Sequence, residues 1–415
     1  MLVSFSVENY RCFKDQVTLD LRVPRGTAHG ATPWDGNLQS VVAIYGANAS
    51  GKTGLVRAVH TMRQQVLGSY RASTIEADPF LFDSEGRQRP SRFSATFLAD
   101  DGVCYAYGYG VVGGRVTEEW AERYTTARAT RLFDRFGNEV RFSAALKGPN
   151  RAVQTTMRSS SLYLSAALAA DHPGLAPLFN WFAASLAPYP PHPENHVLPD
   201  VLSRVARDPA LGMRLIGYLG RGDVGVSGLE VHEMPKSARP GPGDVVVWDD
   251  AALGGETPFS VYRAVTTHSI LGQEYLLPLD EESDGTLAML CHAYILEGSV
   301  RHGATVVLDE VDASLHPLLV RQLIKVFLDP QTNPNQAQLV FTTHDTSVMD
   351  AGYLEGSVLA RDEVWVTEKS LGGVSTLVPI SARGARKRDN LAPYYLAGRY
   401  GGVPQPADLV DPVLV

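Results

Sequence analysis

Residues 46–53 read GANASGKT and match the spacing G-x-x-x-x-G-K-[ST] of a phosphate-binding loop. The two glycines would let the backbone wrap closely around an anion, so that successive amides and the start of a helix point toward it. An apolar run over 40–46 leads into the loop, and a helical pattern begins at Lys52. This context favours an ATP-binding loop over a chance glycine-rich turn.

The predicted loop assigns a role to its polar side chains. Lys52 would bring a positive charge to the β- and γ-phosphates and so take part in catalysis, and the Thr53 hydroxyl would hold Mg²⁺. The backbone amides would supply the other contacts. The predicted ATP-binding residues of the loop are Gly46, Ala47, Asn48, Ala49, Ser50, Gly51, Lys52 and Thr53.

Two carboxylates follow a second apolar run. Residues 304–317 read ATVVLDEVDASLHP, so that Asp309 and Glu310 come directly after a predicted buried strand. Ligands of an open α/β sheet bind at the carboxyl ends of its strands. We expect Asp309 to hold Mg²⁺ through water and Glu310 to orient and polarise the attacking water. The alternative is a plain strand followed by an acidic helix cap, which the phosphate loop makes less favoured.

A histidine ends a third apolar run. Residues 338–350 read QLVFTTHDTSVMD, which places His344 just beyond a predicted strand. A single histidine is more often structural than functional. Its position after a strand end, downstream of the two carboxylates, favours a catalytic role in which it bonds a γ-phosphate and reports its loss.

A fourth stretch, EESDGTLAML at 281–290, runs from an acidic loop into an apolar helix. Ser283 or Asp284 is the expected N-cap, because a side-chain oxygen there can accept a hydrogen bond from an unpaired backbone amide. Apolar residues then recur at helical spacing. The stretch is either only a helix start or half of an active site whose other half lies elsewhere.

Hydrophobic periodicity predicts an α/β protein. Apolar residues alternate near the N-terminus and over 92–124, which indicates antiparallel strands. Two helical stretches, 162–186 and 199–220, flank a proline-rich run, and strand and helix patterns alternate from 245 onward. The predicted division is 1–125 for the N-terminal half of the core with its β subdomain, 126–244 for a mainly helical insertion, 245–380 for the C-terminal half of the core and 381–415 for a tail.

Composition narrows the class of protein. The 415 residues carry a net charge of −8, with 44% hydrophobic and 20% charged residues, as in ordinary globular proteins. Three scattered cysteines argue against a zinc site or a disulfide framework and favour the cytoplasm. No apolar run has the length of a membrane span, and the N-terminus does not have the pattern of a signal peptide. We expect a cytoplasmic protein with no membrane partner and no metal beyond Mg²⁺.

The order of the four motifs resembles that of the ATP-binding-cassette (ABC) class of ATPases. In that class a signature loop lies between the phosphate loop and the acidic strand, and it completes the ATP site of a second subunit. The resemblance implies that ESDGT is this loop, with Ser283 and Gly285 contacting the γ-phosphate held by another copy. A carboxylate would repel triphosphate, so Asp284 is expected to point away. A plain helix cap remains the alternative.

Further motifs narrow the resemblance. The opening LVSFSVENYRCFKD is similar to the start of SMC-like and RecF-like heads. Together with the other motifs and the closing NLAPYYLAGRYGGVP (390–404), it resembles the AAA-type ATPases of prokaryotic abortive-infection systems of the RloA/AbiL kind, related to OLD ATPases but without their Toprim domain. The resemblance implies a homodimer or an oligomer of dimers that senses infection and controls a separate effector protein in antiviral defence.

Other interpretations stay open. A DNA repair or recombination ATPase acting directly on DNA is the main rival, and a self-contained nuclease is disfavoured because no second carboxylate cluster is present. The run RGARKR (383–388) is either a solvated loop or a docking patch for nucleic acid or an acidic partner. Tyr10 and Arg11 either reach the nucleotide, as the resemblance implies, or, for Tyr10, lie in the core.

Overall fold

The structure is a computed structural model that describes residues 1–24, 38–222, 225–235, 241, 243–248, 259–313, 315–353 and 356–404. The chain divides into two compact units. The first comprises Met1–Pro190, His302–Glu310 and Ile324–Val415, and the second comprises Pro191–Arg301 and Val311–Leu323.

The chain contains both strands and helices, and several of the strands follow one another without a helix between them. In chain order the strands are β1 (Leu2–Glu8), β2 (Val17–Asp20), β3 (Val41–Tyr45), β4 (Ser91–Leu98), β5 (Cys104–Val112), β6 (Arg115–Tyr124), β7 (Ala129–Phe136), β8 (Glu139–Phe142), β9 (Leu186–Tyr189), β10 (Val226–Glu233), β11 (Asp244–Trp248), β12 (Phe259–Ile270), β13 (Gln273–Pro278), β14 (Thr305–Leu308), β15 (Gln338–Thr342), β16 (Val364–Lys369) and β17 (Ser375–Pro379). The helices are α1 (Lys52–Gly68), α2 (Asn150–Thr156), α3 (Tyr163–Ala169), α4 (Ala176–Asn180), α5 (Glu194–Arg207), α6 (Pro209–Arg221), α7 (Asp284–His302), α8 (Pro317–Leu328) and α9 (Leu391–Leu396).

The central sheet of the first unit is mostly parallel. Its six strands lie in the order β17-β16-β3-β15-β14-β9, and β17 alone pairs in the antiparallel sense. Every residue of β3, β14 and β15 is buried, as expected of parallel strands covered on both faces. Because β15 lies between β3 and β14, the carboxyl ends of these three strands meet at one edge of the sheet.

The second sheet of the first unit is antiparallel and has seven strands in the order β2-β1-β4-β5-β6-β7-β8. Alternate residues of β1 and β4 are buried, which matches the period of two in their sequences. The buried Gln338 side chain joins the two sheets, since its amide nitrogen donates to the carbonyl oxygens of Leu2 (3.0 Å) and Gln39 (3.1 Å).

The second unit contains α5, α6, α7 and a four-stranded antiparallel sheet. Strand β12 pairs with β10 on one side and with β11 and β13 on the other. Asp208 caps α6 by accepting a hydrogen bond from the Ala210 amide at 3.1 Å. None of the helices in the described part of the chain is long and apolar enough to cross a membrane.

The predicted fold class, α/β with an N-terminal antiparallel subdomain, is confirmed. The antiparallel sheet nevertheless continues past the predicted boundary at 125, because β7 pairs with β6, and β8 pairs with β7 after a turn at Gly137. Strand β9 was not predicted from the sequence. It pairs with β14 at the edge of the central sheet, in a run that reads as a proline-rich loop. The range 126–244 therefore holds strands as well as helices.

A buried ion pair ties the antiparallel sheet to the helices that follow it. Glu119 and Arg135 have fully buried side chains and lie 3.2 Å apart. The Glu119 carboxylate also accepts hydrogen bonds from the amides of Tyr163 (2.6 Å) and Leu164 (2.9 Å) at the start of α3. Each charge is thus paired and hydrogen-bonded, as burial requires.

Arg135→Met should strongly destabilise the first unit, because it leaves the Glu119 carboxylate buried without its cation. The expected loss in the free energy of unfolding is about 3–5 kcal/mol. Urea unfolding measures it. The matched control is Arg92→Met, in which a 45% exposed arginine loses its surface pairs with Glu8 and Glu118, for an expected loss of about 0–1 kcal/mol. Equal losses in the two variants would contradict this assignment.

Candidate functional site

The loop 46–53 joins β3 to α1 and folds so tightly that only glycine fits at two positions. A Cβ atom on Gly46 would lie 2.3 Å from the Thr367 hydroxyl oxygen and 2.4 Å from that of Ser50. Gly51 has φ +123, and a Cβ there would meet Cys12 and Phe13 at 3.1 and 3.2 Å. The two glycines of the predicted motif are therefore required by the fold itself.

Lys52 lies inside this loop. Its side chain is buried, and its ammonium group donates hydrogen bonds to the carbonyl oxygens of Gly46 (2.8 Å) and Ala47 (3.3 Å). A buried ammonium is costly unless oxygen atoms surround it. The loop carbonyls hold the positive charge where a phosphate would need it. Thr53 follows in the first turn of α1 and is half-buried.

The neighbouring strand β16 supports the loop through a buried threonine. The hydroxyl groups of Thr367 and Ser50 share a hydrogen bond of 2.6 Å, and the Thr367 hydroxyl also donates to the carbonyl oxygen of Tyr45 at 3.2 Å. Ser50 therefore fixes the loop through its side chain, and its amide also donates to the Ala47 carbonyl oxygen at 3.2 Å.

Asp309 and Glu310 lie at the end of β14 and share one hydroxyl group. Thr342, at the end of β15, donates to Asp309 Oδ1 (2.6 Å), and its oxygen accepts from the Glu310 amide (2.7 Å). The second Asp309 oxygen, Oδ2, is buried and has no hydrogen-bond partner among the described residues. Glu310 has φ +50, a left-handed conformation that is uncommon for a non-glycine residue.

The unpartnered Asp309 oxygen fits a divalent cation. Buried carboxylate oxygens are normally hydrogen-bonded, and an orphaned one calls for an explanation such as an ion. Mg²⁺ prefers oxygen ligands, one or two of them carboxylates, with phosphate and water completing the set. Asp309 and the Thr53 hydroxyl are the residues that would hold it.

His344 lies two residues beyond β15 and is exposed. The turn that carries it is held by Asp345, whose amide donates to the Thr343 hydroxyl at 2.9 Å. The Tyr45 hydroxyl donates to the Asp345 carbonyl at 2.7 Å. Tyr45 is the last residue before the phosphate loop, so this bond ties the histidine segment to the loop.

Ser283, Asp284 and Gly285 belong to the second unit, whereas the other predicted site residues belong to the first. Ser283 is the cap of α7, because its hydroxyl oxygen accepts from the Thr286 amide at 3.1 Å. Asp284 begins the helix and is not the cap. All three residues are exposed at the helix N-terminus, so a partner molecule can reach them.

Tyr10 lies in the core. Its side chain is buried, packs edge-on against Phe93 and shares a hydrogen bond of 3.0 Å with the Thr61 hydroxyl. Arg11 forms an ion pair of 2.7 Å with Asp78. The core interpretation of Tyr10 is the one that the structure favours.

Two threonines of the site were not predicted from the sequence. Thr342 and Thr367 are fully buried and each makes two of the hydrogen bonds that shape the site. The available signal was a polar β-branched residue at the end of an apolar run, in QLVFTT and VWVTEK. Threonine is also common in ordinary strands, so this signal alone could not identify them.

The sequence matches a family model described as "AAA domain, putative AbiEii toxin, Type IV TA system" over residues 41–350. This range includes the phosphate loop, the ESDGT stretch, both carboxylates and His344. No curated protein matches the sequence.

Among solved structures, the chain is similar to heads of SMC proteins and to RecF. The SMC head domain from Thermotoga maritima is 14% identical, with 91% of this chain and 98% of that chain covered and a TM-score of 0.40. An SMC head from Pyrococcus furiosus, bound to the C-terminal domain of ScpA, is 10% identical, with 91% and 95% covered and a TM-score of 0.44. The recombination mediator RecF with ATP is 13% identical, with 91% and 97% covered and a TM-score of 0.41.

Lys52→Ala should abolish measurable ATP binding, because it removes the positive charge that the loop carbonyls hold for the phosphates. Titration calorimetry with MgATP measures the affinity. The matched control is Lys147→Ala, which removes an exposed lysine of the same unit and should bind ATP like the wild type. Unchanged affinity in Lys52→Ala would contradict the assignment of the loop.

Thr342→Val should slow hydrolysis, because it leaves Asp309 Oδ1 and the Glu310 amide without their shared partner. A buried polar group that is left unpaired costs about 1–3 kcal/mol. When that cost is added to the activation free energy of hydrolysis, the rate falls roughly tenfold or more. Thr342→Ser keeps the hydroxyl and should retain most activity. Equal steady-state rates in the two variants would show that the hydroxyl does not shape the site.

Proposed function

This chain belongs to the family of AAA domains described as "AAA domain, putative AbiEii toxin, Type IV TA system", and we propose that it is an ATP-hydrolysing switch that dimerises around ATP. One observation carries the proposal. A buried lysine held inside the phosphate loop that follows β3, and a buried carboxylate with an oxygen unpartnered among the described residues that follows β14, lie after the two strands that flank β15 in a parallel sheet.

The residues at this edge divide the chemistry among them. Lys52 and the loop amides bind the phosphate chain, and Asp309 and Thr53 would hold Mg²⁺, which would neutralise charge on the phosphate oxygens. Glu310 orients and polarises the water that attacks the γ-phosphate in line. His344 donates a hydrogen bond to the γ-phosphate and loses it after hydrolysis.

A second copy completes the site. Ser283 and Gly285, exposed at the start of α7, would present a hydroxyl, backbone amides and the positive end of the helix dipole to the γ-phosphate bound by the other copy. Asp284 is exposed at the first position of this helix. Its negative charge interacts favourably there with the positive end of the helix dipole and stays in contact with water. The γ-phosphate thereby favours a closed dimer, and its loss favours an open one.

The output of the switch is the control of another protein. The family description names a putative toxin and a toxin–antitoxin system, which suits a defence role. The resemblance to abortive-infection ATPases adds the same suggestion, and the effector would be a separate nuclease or toxin. Co-purification of Glu310→Gln with the products of neighbouring genes, in MgATP, tests this role. A stable complex with a second protein supports it, and a bare dimer counts against it.

A second candidate function is an ATPase that acts directly on DNA. The observation that favours it is the exposed cationic run Arg386, Lys387 and Arg388. DNA phosphates are neutralised by such side chains, so DNA-stimulated hydrolysis with strong salt dependence would support this candidate.

Glu310→Gln should bind MgATP like the wild type and hydrolyse it more slowly by about 10²- to 10⁴-fold, the usual worth of a general base. The amide keeps the shape of the side chain and loses its charge. Single-turnover kinetics separates the chemical step from binding. An unaltered rate would remove Glu310 from catalysis.

Ser283→Arg should block ATP-dependent dimerisation and leave ATP binding by the monomer intact, because a long cation would fill the space intended for the γ-phosphate contact. Ser283→Ala is the control, since it removes the cap bond to the Thr286 amide without adding bulk. Sedimentation with MgATP gives the dimer fraction. A Ser283→Arg chain that dimerises and hydrolyses ATP normally would reduce ESDGT to a helix cap.

A further inference from the structure

The C-terminal segment, defined here as Asn390–Gly402, is packed into the first unit although its sequence reads as a tail. It contains α9 and the run GRYGG. Tyr395 is 6% exposed and Tyr400 is fully buried. These two buried tyrosines fix the segment in the first unit.

One end of the C-terminal segment is bound to residues 344–351, here called the His344 segment. The Asn390 side chain donates to Asp350 Oδ1 at 2.8 Å and accepts from the Ala351 amide at 2.9 Å. Asp350 follows His344 through a short turn, Ser347–Met349, whose first residue donates its hydroxyl to Asp345 at 2.8 Å. Asn390 therefore clamps the segment that would sense the γ-phosphate.

The other end lies against the phosphate loop. A Cβ atom on Gly402 would be 2.2 Å from Val366 and 3.5 Å from the Gly46 Cα, so the backbone approaches both closely. The Tyr395 hydroxyl donates to the Gly402 carbonyl at 3.2 Å. Burial raises the pKa of Tyr395 to about 12. The phenol thus holds Gly402, which lies against Gly46, the first residue of the loop.

Tyr45 connects the two ends. Its ring packs against that of Tyr395, with centroids 5.4 Å apart, and its hydroxyl bonds the Asp345 carbonyl at 2.7 Å. Tyr45 also precedes Gly46 directly in the chain. A shift of the phosphate loop or of the His344 segment would therefore change the contacts of both Tyr395 and Asn390.

We propose that the C-terminal segment is a positioning element of the nucleotide site, which links the phosphate loop to the His344 segment and tightens when the γ-phosphate is bound. This inference rests on the proposed ATPase function. Coupling between sites is reciprocal. A partner that grips or displaces the segment would change the affinity for ATP, and ATP would change the affinity for that partner.

Matched tyrosine variants test the link to the loop. Tyr395→Phe removes only the buried hydroxyl, and Tyr394→Phe makes the same change on the exposed neighbour. We expect Tyr395→Phe to weaken the binding of MgATP and MgADP about fivefold, the usual worth of one hydrogen bond. Tyr394→Phe should bind like the wild type. Equal affinities in the two variants, with Tyr395→Phe folded, overturn the proposal.

Asn390→Ala tests the link to the His344 segment. It removes the bonds to Asp350 and Ala351 and should weaken MgATP binding more than MgADP binding, because only ATP carries the γ-phosphate. A role in packing alone would lower the melting temperature and leave the ratio of the two affinities unchanged. An unchanged ratio contradicts the proposal.

Hydrogen exchange tests the same proposal on the unaltered protein. Amides of 391–402 should exchange more slowly with MgATP than with MgADP, while amides of β7 in the same unit, Ala129–Phe136, serve as a reference that stays constant. Equal exchange in the two nucleotides, at saturation, overturns the inference and leaves the ATPase function standing. A chain that does not bind MgATP at all overturns the ATPase function itself.

Discussion

The pairing of β15 with β3 on one side and with β14 on the other is the constraint on which the site depends. All three strands are parallel, so their carboxyl ends meet at one edge, and each is followed there by one part of the candidate site. The phosphate loop follows β3, Asp309 and Glu310 follow β14, and His344 follows β15. A strand order with β3 and β14 far apart would leave the same motifs unable to cooperate.

The site keeps several groups in states that an ordinary core would avoid. Lys52 and Asp309 are buried charges, one Asp309 oxygen has no partner among the described residues, and Glu310 has a positive φ. Each of these costs folding free energy. The cost is offset by fully buried strands and by shared hydroxyl groups such as that of Thr342, and bound nucleotide with Mg²⁺ would supply the missing partners.

Sequence reasoning reached the features that depend on local spacing. The phosphate loop, the carboxylates after β14 and the strands over 92–124 are set by neighbours in the chain, so their patterns are visible there. Thr342 and the C-terminal segment contact residues that are distant in the chain, and periodicity does not encode such contacts. Strand β9 was missed because prolines disguise it, and it lies at the sheet edge where proline is tolerated.

The shared site between two copies is the central claim, and the most direct measurement is the ATPase rate of an equimolar mixture of Lys52→Ala and Ser283→Arg chains. Each variant alone should be inactive. In a mixed dimer the intact loop of the Ser283→Arg chain faces the intact Ser283 of the Lys52→Ala chain, so hydrolysis should return on mixing. A mixture that stays as inactive as its components would contradict an active site built from two copies.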